Sequence, residues 1–311
     1  MSCSTTPRCF RMPSGFPPFW EGMDRPKVWY QLADEVLQKG STVLLLGAPD
    51  TGKTTLCHFL VEEALKRGLR TAYIDADVGQ SVIGPPTTLG MALLEGPQEE
   101  LSGLEADRLY FIGATSPARH LLPVVVGLRK LLDEAWCRGA EFAIVDTTGL
   151  VAGEVGLALK FYKVEALRPK HLIALEGGSE VEHILRPLWG REDLKVHVLL
   201  PSPKVVRRDQ RRRQDYRLER FRFYFRGASL KEVNLQERAL ISPASPLRQG
   251  GDDLRGRLIG LIDGDGFAVG LGIIEDLHGE RASIWTPLEE LQGVRFLQVG
   301  SLVFSRGQGC L

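Results

Sequence analysis

The stretch Gly47-Ala48-Pro49-Asp50-Thr51-Gly52-Lys53-Thr54 carries the spacing G-x-x-x-x-G-K-[ST]. Glycines at those places let backbone N–H groups curl around an anion, and a helix starting in its second half adds unpaired N–H groups and a favourable dipole. An ammonium at Lys53 suits the β- and γ-phosphates of a nucleoside triphosphate, and the Thr54 hydroxyl suits Mg²⁺. A glycine-rich turn before a helix is the bland alternative. The flanks argue against it: Val43-Leu44-Leu45-Leu46 reads as a buried strand, and Leu56, Phe59, Leu60, Ala64 and Leu65 recur at helical spacing until Gly68.

Carboxylates follow two further strand-like runs. Arg70 to Asp75 ends in acid and leads into Ala76-Asp77-Val78-Gly79-Gln80, and Glu141 to Asp146 ends in acid before Thr147-Thr148-Gly149. Acids at the carboxyl ends of parallel strands share the sheet edge with a phosphate loop, the edge where open α/β sheets bind ligands. An apolar run ending in Asp is also the form of a carboxylate that holds Mg²⁺. Asp75 and Asp146 compete for that role, and the sequence leaves the choice open. Pro85 to Gly90 reads as a rigid loop able to line a groove.

Charge is balanced over the 311 residues, with 39 Lys plus Arg against 39 Asp plus Glu, so any polyanion signal must be local. It is found between Arg207 and Arg226, where nine arginines face only Asp209, Asp215 and Glu219. A solvated basic helix would explain such a run. Arginine forks onto phosphate oxygens, however, and the run follows the last strand of a nucleotide-binding pattern, which favours a lid over the transferring phosphate.

The elements that must position these residues alternate. A lead-in helix from Val28 to Lys39 precedes the phosphate-loop strand; strands are expected at Leu109–Gly113, Leu172–Leu175 and Val196–Leu200, and helices at Ala118–Trp136, Val155–Leu167 and Val181–Leu188. The class is α/β: a P-loop nucleoside-triphosphatase fold, its mainly parallel sheet covered by helices on both faces. From residue 228 the alternation stops. Short strands over 256–311, with Asp263-Gly264-Asp265-Gly266 as a hairpin turn, predict a small β-rich C-terminal domain. The expected division is an arm and lead-in helix (1–40), a P-loop domain (41–227, with the arginine lid at 204–226) and the β-rich domain (228–311). That last part carries eight Lys or Arg against eleven Asp or Glu, a poor main surface for a polyanion.

Five scattered cysteines without a C-x-x-C pair argue for a reducing compartment and against a zinc site. No apolar run reaches the ~18 residues of a membrane span, and residues 1–19 lack signal-peptide order, so a cytoplasmic protein without membrane partners is expected.

In order, the motif Gly47–Thr54, the Asp75–Gln80 block with Pro86-Thr87-Thr88-Leu89-Gly90, the Thr147-Thr148-Gly149 segment and the arginine run ending in Arg222-Phe223-Tyr224-Phe225-Arg226-Gly227 resemble the polynucleotide 5′-hydroxyl kinase family. These are P-loop kinases of RNA processing related to the pre-mRNA cleavage-factor and ribosomal-RNA-processing kinases. The resemblance covers residues 28–227 and implies ATP and Mg²⁺ as cofactors, with 5′-hydroxyl ends of RNA, and of DNA as a second acceptor, as partners. By the same resemblance Gly47, Ala48, Pro49, Asp50, Thr51, Gly52, Lys53, Thr54 and Thr55 would hold the nucleotide. Lys53, Asp77, Arg208 and Arg213 would be catalytic, Asp77 taking the proton of the attacking hydroxyl. Gln80, Thr87 and the clasp Thr147, Thr148 and Gly149 would meet the acceptor, and Thr54 with Asp75 or Asp146 would hold the metal. Two departures stand out: Leu150 replaces the family's frequent tryptophan after the clasp, and fewer than fifty residues precede the P-loop where eukaryotic members carry a β-rich domain that helps hold adenine. The arm around Trp20 is the expected substitute.

Two rivals are weighed. Asp146-Thr147-Thr148-Gly149 also fits the D-x-x-G switch of P-loop GTPases, but these read guanine with an N-K-x-D-like segment, and the chain's only asparagine is Asn234. A nucleotide-binding scaffold in an RNA-processing complex would keep the fold with little turnover; Lys53, Thr54, Asp77 and the lid arginines together speak against it.

Overall fold

The structure is a computed structural model and describes residues 25–96, 104–205, 208–242 and 254–304. The arm with Trp20, and Arg207 of the expected lid, lie outside the described residues. In chain order the elements are α1 (Lys27–Val36), β1 (Ser41–Gly47), α2 (Lys53–Lys66), β2 (Thr71–Ala76), β3 (Thr88–Leu94), β4 (Arg108–Phe111), α3 (Leu121–Cys137), β5 (Phe142–Thr147), α4 (Gly153–Leu167), β6 (His171–Leu175) and α5 (Glu182–Leu185). They continue with β7 (Lys195–Leu199), α6 (Gln210–Tyr224), β8 (Ser229–Asn234), β9 (Ala239–Ile241), β10 (Arg257–Ile262), β11 (Ala268–His278), β12 (Arg281–Thr286) and β13 (Phe296–Val303).

Strand β1 is apolar from Val43 to Leu46 because both of its faces are covered. Val43 and Leu45 join the core beneath α1 and α2, while Leu44 and Leu46 join the opposite core beneath α3 and α4. Each such side chain contributes about 1.5–3 kcal/mol by leaving water. The strand lies between β5 and β6 in the order β7-β6-β1-β5-β2-β3-β4-β11-β10-β13-β9, with β12 pairing β11 and β8. The five strands from β7 to β2 are parallel. Their carboxyl ends therefore line one edge, and the Asp75 and Asp146 positions are direct register partners there.

Several sequence expectations need correction. Pro85–Gly90 is not only a loop, because Thr88 begins β3, which runs antiparallel to β2. Only the short stretch 77–87 joins the two, too little for the crossover a parallel pair requires. The parallel pattern ends there, since β3 and β4 are also antiparallel. The helix expected from Ala118 starts at Leu121 after a 3-10 turn at Pro117–Arg119. The helix expected over Val181–Leu188 is one turn, Glu182–Leu185, passing into a 3-10 turn at Arg186–Leu188, where Pro187 removes a backbone donor. Two strands also precede residue 256, Ser229–Asn234 and Ala239–Ile241, which the sequence reading of short strands over 256–311 did not include.

The C-terminal strands continue the same sheet. β11 pairs with β4 through Ala268 and Leu109, and Leu258, Ile262, Leu271 and Ile273 share a core with α1, α2 and the end of α6. A separate cluster around Ile259, Leu261, Ile284 and Leu297 fills the outer face of those strands. No helix among the described residues is long and apolar enough to cross a membrane.

Candidate active site

The loop after β1 turns into α2 through Gly52, the residue before the helix, which sits in the left-handed region at φ +90. Glycine adopts that conformation without the steric cost other residues meet. Lys53 is buried, and its Nζ donates to Ala48 O at 2.6 Å and to the Thr51 hydroxyl at 3.5 Å. Burial lowers its pKa, opposed by the charges of Asp146 and Asp77. Thr55 follows on the first turn of α2 and is half-buried.

The two buried aspartates have different partners. The Thr54 hydroxyl donates to Asp146 Oδ2 at 2.5 Å. Burial raises the Asp146 pKa, while that hydrogen bond and Lys53 pull it back down. The Asp75 carboxylate instead accepts Asp77 N (3.0 Å), the Ser81 hydroxyl (3.0 Å) and Val82 N (2.6 Å). It thus folds the segment after β2 back on itself; burial, with Asp146 next to it, pushes its pKa up to about 7.

Asp77 stands half-buried on that segment. Its Oδ1 accepts Gly79 N and Gln80 N, each at 3.0 Å, and Oδ2 accepts no hydrogen bond among the described residues. Gln80 reaches the lid helix, its Nε2 donating to Arg213 O at 3.3 Å as well as to Gly79 O. Thr87 is fully buried at φ +78, an outlying conformation for a β-branched residue, and its hydroxyl has no partner among the described residues. Such a conformation costs on the order of 1–3 kcal/mol and persists because the surroundings hold it. Here Val78 O accepts Thr87 N, and Thr87 O accepts both Ile112 N and Gly113 N.

The clasp lies against the phosphate loop. A Cβ on Gly149 would sit 2.5 Å from Pro49 N, so only glycine permits this approach. Thr147 and Thr148 are buried, the Thr147 hydroxyl donating to Leu45 O at 2.6 Å. Leu150 packs on the core beneath α3 and α4.

The lid meets the phosphate loop through Asp50. Its Oδ2 accepts Arg208 N at 2.9 Å and pairs with Arg213 Nη2 at 2.6 Å, and Asp50 itself lies at φ +55. Asp209 caps α6 by accepting Arg212 N at 2.7 Å. Further along, the Tyr216 hydroxyl donates to Ser81 O (3.0 Å) and Arg220 donates to Val82 O and Gly84 O, so α6 is laid along the Asp77 segment. The sites predicted from sequence therefore converge on one edge. Three partners escaped the sequence reading: Asp50 as the lid's anchor, the Tyr216–Arg220 seat on residues 81–84, and Lys160 beneath the clasp. An acid inside an anion-binding loop was the available signal for the first.

With this geometry established, similarity to known proteins becomes informative. A family model described as the mRNA cleavage and polyadenylation factor CLP1 P-loop matches residues 47–227. The chain belongs to this family. It is 31% identical to a polyribonucleotide 5′-hydroxyl-kinase of Pyrococcus abyssi, over 86% of this chain and 88% of that protein. It is 28% identical to a polyribonucleotide 5′-hydroxyl-kinase of Methanocaldococcus jannaschii, over 85% of this chain and 87% of that one. A CLP1 homologue of Anopheles gambiae is 29% identical over 67% of this chain but 53% of its own length. The Clp1p of a wild-type Clp1p–Pcf11p complex superposes with a TM-score of 0.68 at 15% identity, covering 89% of this chain and 79% of that one, a likeness of fold. The CLP1 family membership makes the loop at 47–54 a nucleotide-binding P-loop.

Proposed function

We propose that the chain is an ATP- and Mg²⁺-dependent polynucleotide 5′-hydroxyl kinase that phosphorylates RNA ends, and DNA ends as a second acceptor. The observation that carries this reading is the meeting of a phosphate loop, a carboxylate with a free oxygen and an arginine helix at one sheet edge. Similarity over 86% and 85% of this chain to two proteins named as polyribonucleotide 5′-hydroxyl-kinases supports it. In the reaction the 5′-hydroxyl oxygen bonds to the γ-phosphorus, its proton passes to Asp77, and the bond to the β–γ bridging oxygen breaks. Asp77 Oδ2 is the accepting atom, because Oδ1 is held by Gly79 N and Gln80 N. Residues 47–55 cradle the phosphates, and Lys53 exchanges its loop carbonyl for phosphate oxygens. Arg208 and Arg213 spread charge around the transferring group. Gln80, Thr87, Thr147, Thr148 and Gly149 shape the acceptor side, residues 41–227 form the kinase unit and strands β8 to β13 brace it.

A hydroxyl and a carboxylate make a donor set for a hard cation, and Mg²⁺ usually takes one or two carboxylates plus substrate phosphates rather than a protein cage. Thr54 and Asp146 fit that demand; no group of three or more His, Cys, Asp or Glu among the described residues offers a cage. Mg²⁺ held there would neutralise phosphate charge. Asp75 keeps its loop-building role. Asp146→Asn is expected to cut transfer by about a hundredfold or more and to raise the Mg²⁺ concentration needed, whereas Asp75→Asn should lower the thermal midpoint more than the metal requirement. Metal titrations of both variants check this.

The function itself is tested by incubating folded protein with γ-labelled ATP and 5′-hydroxyl RNA and DNA oligonucleotides. Label on RNA is expected. No transfer to either acceptor would defeat the proposal.

A further inference from the structure

Helix α4 carries two lysines on its buried face. Lys160 is 1% exposed and Lys163 is 0% exposed, in a helix otherwise packed by Leu159, Val164 and Leu167. Burying an ammonium is costly unless it is well paired, so each needs a reason. Lys160 has one: its Nζ donates to the Thr147 hydroxyl at 2.7 Å and to Thr148 O. The Thr147 hydroxyl has a single hydrogen, which it gives to Leu45 O at 2.6 Å, so it faces Lys160 as an acceptor. Strand β1, the clasp and α4 are thereby joined by one continuous chain of hydrogen bonds. Lys163 Nζ, by contrast, has no hydrogen-bond partner among the described residues.

We propose that Lys160 is a positioning residue for the acceptor side of the site, fixing the Thr147–Thr148 backbone so that Thr148 and Gly149 stand at the P-loop in the geometry that receives the 5′ end. This rests on the kinase reading above. Thr147 is also held at the end of β5 as the register partner of Ala76, and Gly149 fits against Pro49, but the Thr148 carbonyl takes its donor from Lys160. Removing Lys160 leaves the Thr148 carbonyl without its donor and lets the turn relax by fractions of an ångström, which lowers acceptor use before it affects nucleotide binding. Misplacement of about 1 Å can cost on the order of a hundredfold in rate, and a looser clasp should cost about tenfold.

The test uses the full chain and four variants: Lys160→Met, Thr147→Val, the double variant of these two, and Lys163→Met. Two binding measurements are independent of turnover, anisotropy of a labelled 5′-hydroxyl RNA oligonucleotide and fluorescence of an ATP analogue. Lys160→Met and Thr147→Val should each weaken acceptor binding, and raise the acceptor KM, about tenfold, with nucleotide affinity changed less than about threefold. The double variant should be no worse than either single one, because both break one chain. Lys163→Met should keep acceptor affinity and melt at the same or a higher temperature, an unpaired buried charge having been removed. Unchanged acceptor binding in Lys160→Met would overturn the proposal, as would equal losses for RNA and nucleotide. If Lys160→Met does not fold, Thr147→Val decides alone by the same criteria. Wild-type protein that binds RNA but transfers no phosphate would sink the kinase reading, while the binding comparison would still judge Lys160.

Discussion

The two halves of helix α6 divide a single run of arginines between different tasks. Near its start, Arg211 and Arg212 are exposed and Arg213 reaches Asp50 in the phosphate loop. At its end, Phe221, Tyr224 and Phe225 are buried, Phe221 packs edge-on against Phe304, and the Tyr224 hydroxyl accepts Leu271 N at 2.7 Å. Arg220 belongs to the second half despite its charge, since it is 1% exposed and bonds the carbonyls of Val82 and Gly84. The arginine helix is therefore rooted at one end. Its base is part of the core shared with the C-terminal strands, whereas Arg213 in its first turns, and Arg208 before them, meet Asp50 of the phosphate loop.

If this division is correct, substitutions in the two halves should separate activity from stability. The largest effect is expected at Arg213. Arg213→Ala removes a cation aimed at the phosphate loop and should lower kcat by about a thousandfold, the scale of an arginine acting on a transferring phosphoryl group, with an unchanged thermal midpoint. Single-turnover transfer and a melt on the same preparation check both. Phe221→Ala should do the reverse: a phenyl ring lost from a buried site costs about 3–5 kcal/mol in unfolding free energy, while turnover per folded molecule stays within about threefold. Denaturant unfolding with parallel assays measures it. A Phe221 variant that loses activity without losing stability would mean that the root also shapes the site.

The same contrast shows what was legible in the sequence. The Gly47–Thr54 loop, the acids ending β2 and β5 and the arginine run carry local chemistry in adjacent residues, and local patterns survive without a structure. Strand β3 did not, because Pro85-Pro86-Thr87-Thr88 signals a break and the apolar run after it is short. Phe221, Tyr224 and Phe225 alternate with Arg220, Arg222 and Arg226, so their burial depended on strands more than thirty residues later. Lys160 and Lys163 belong to no local motif, and sequence does not reveal that α4 packs against both α3 and α5. The different partners of Asp75 and Asp146 showed only once Thr54, Ser81 and Val82 were placed in space, as the two acids lie near the ends of similar strands in the same register.

The smallest effect sharpens the comparison at the contact itself. Asp50 joins Arg213 and Arg208 N, but the Arg213 side chain is 30% exposed and that of Asp50 15%, so solvent screens the pair and its coupling should be about 1 kcal/mol or less. Asn is the informative replacement. It tolerates the left-handed backbone that Asp50 adopts at φ +55, and its carbonyl can still accept Arg208 N, whereas Ala would add backbone strain to the lost charge. Removing a carboxylate from a site built for phosphates should tighten ATP binding about two- to fivefold. Removing the guide for Arg213 should lower kcat by a similar factor. A double-mutant cycle with Arg213→Ala separates the two: the kcat loss should vanish in the Arg213→Ala background, and the gain in ATP affinity should persist. A kcat loss that persists there would place Asp50 in the phosphate site in its own right and not as the lid's anchor.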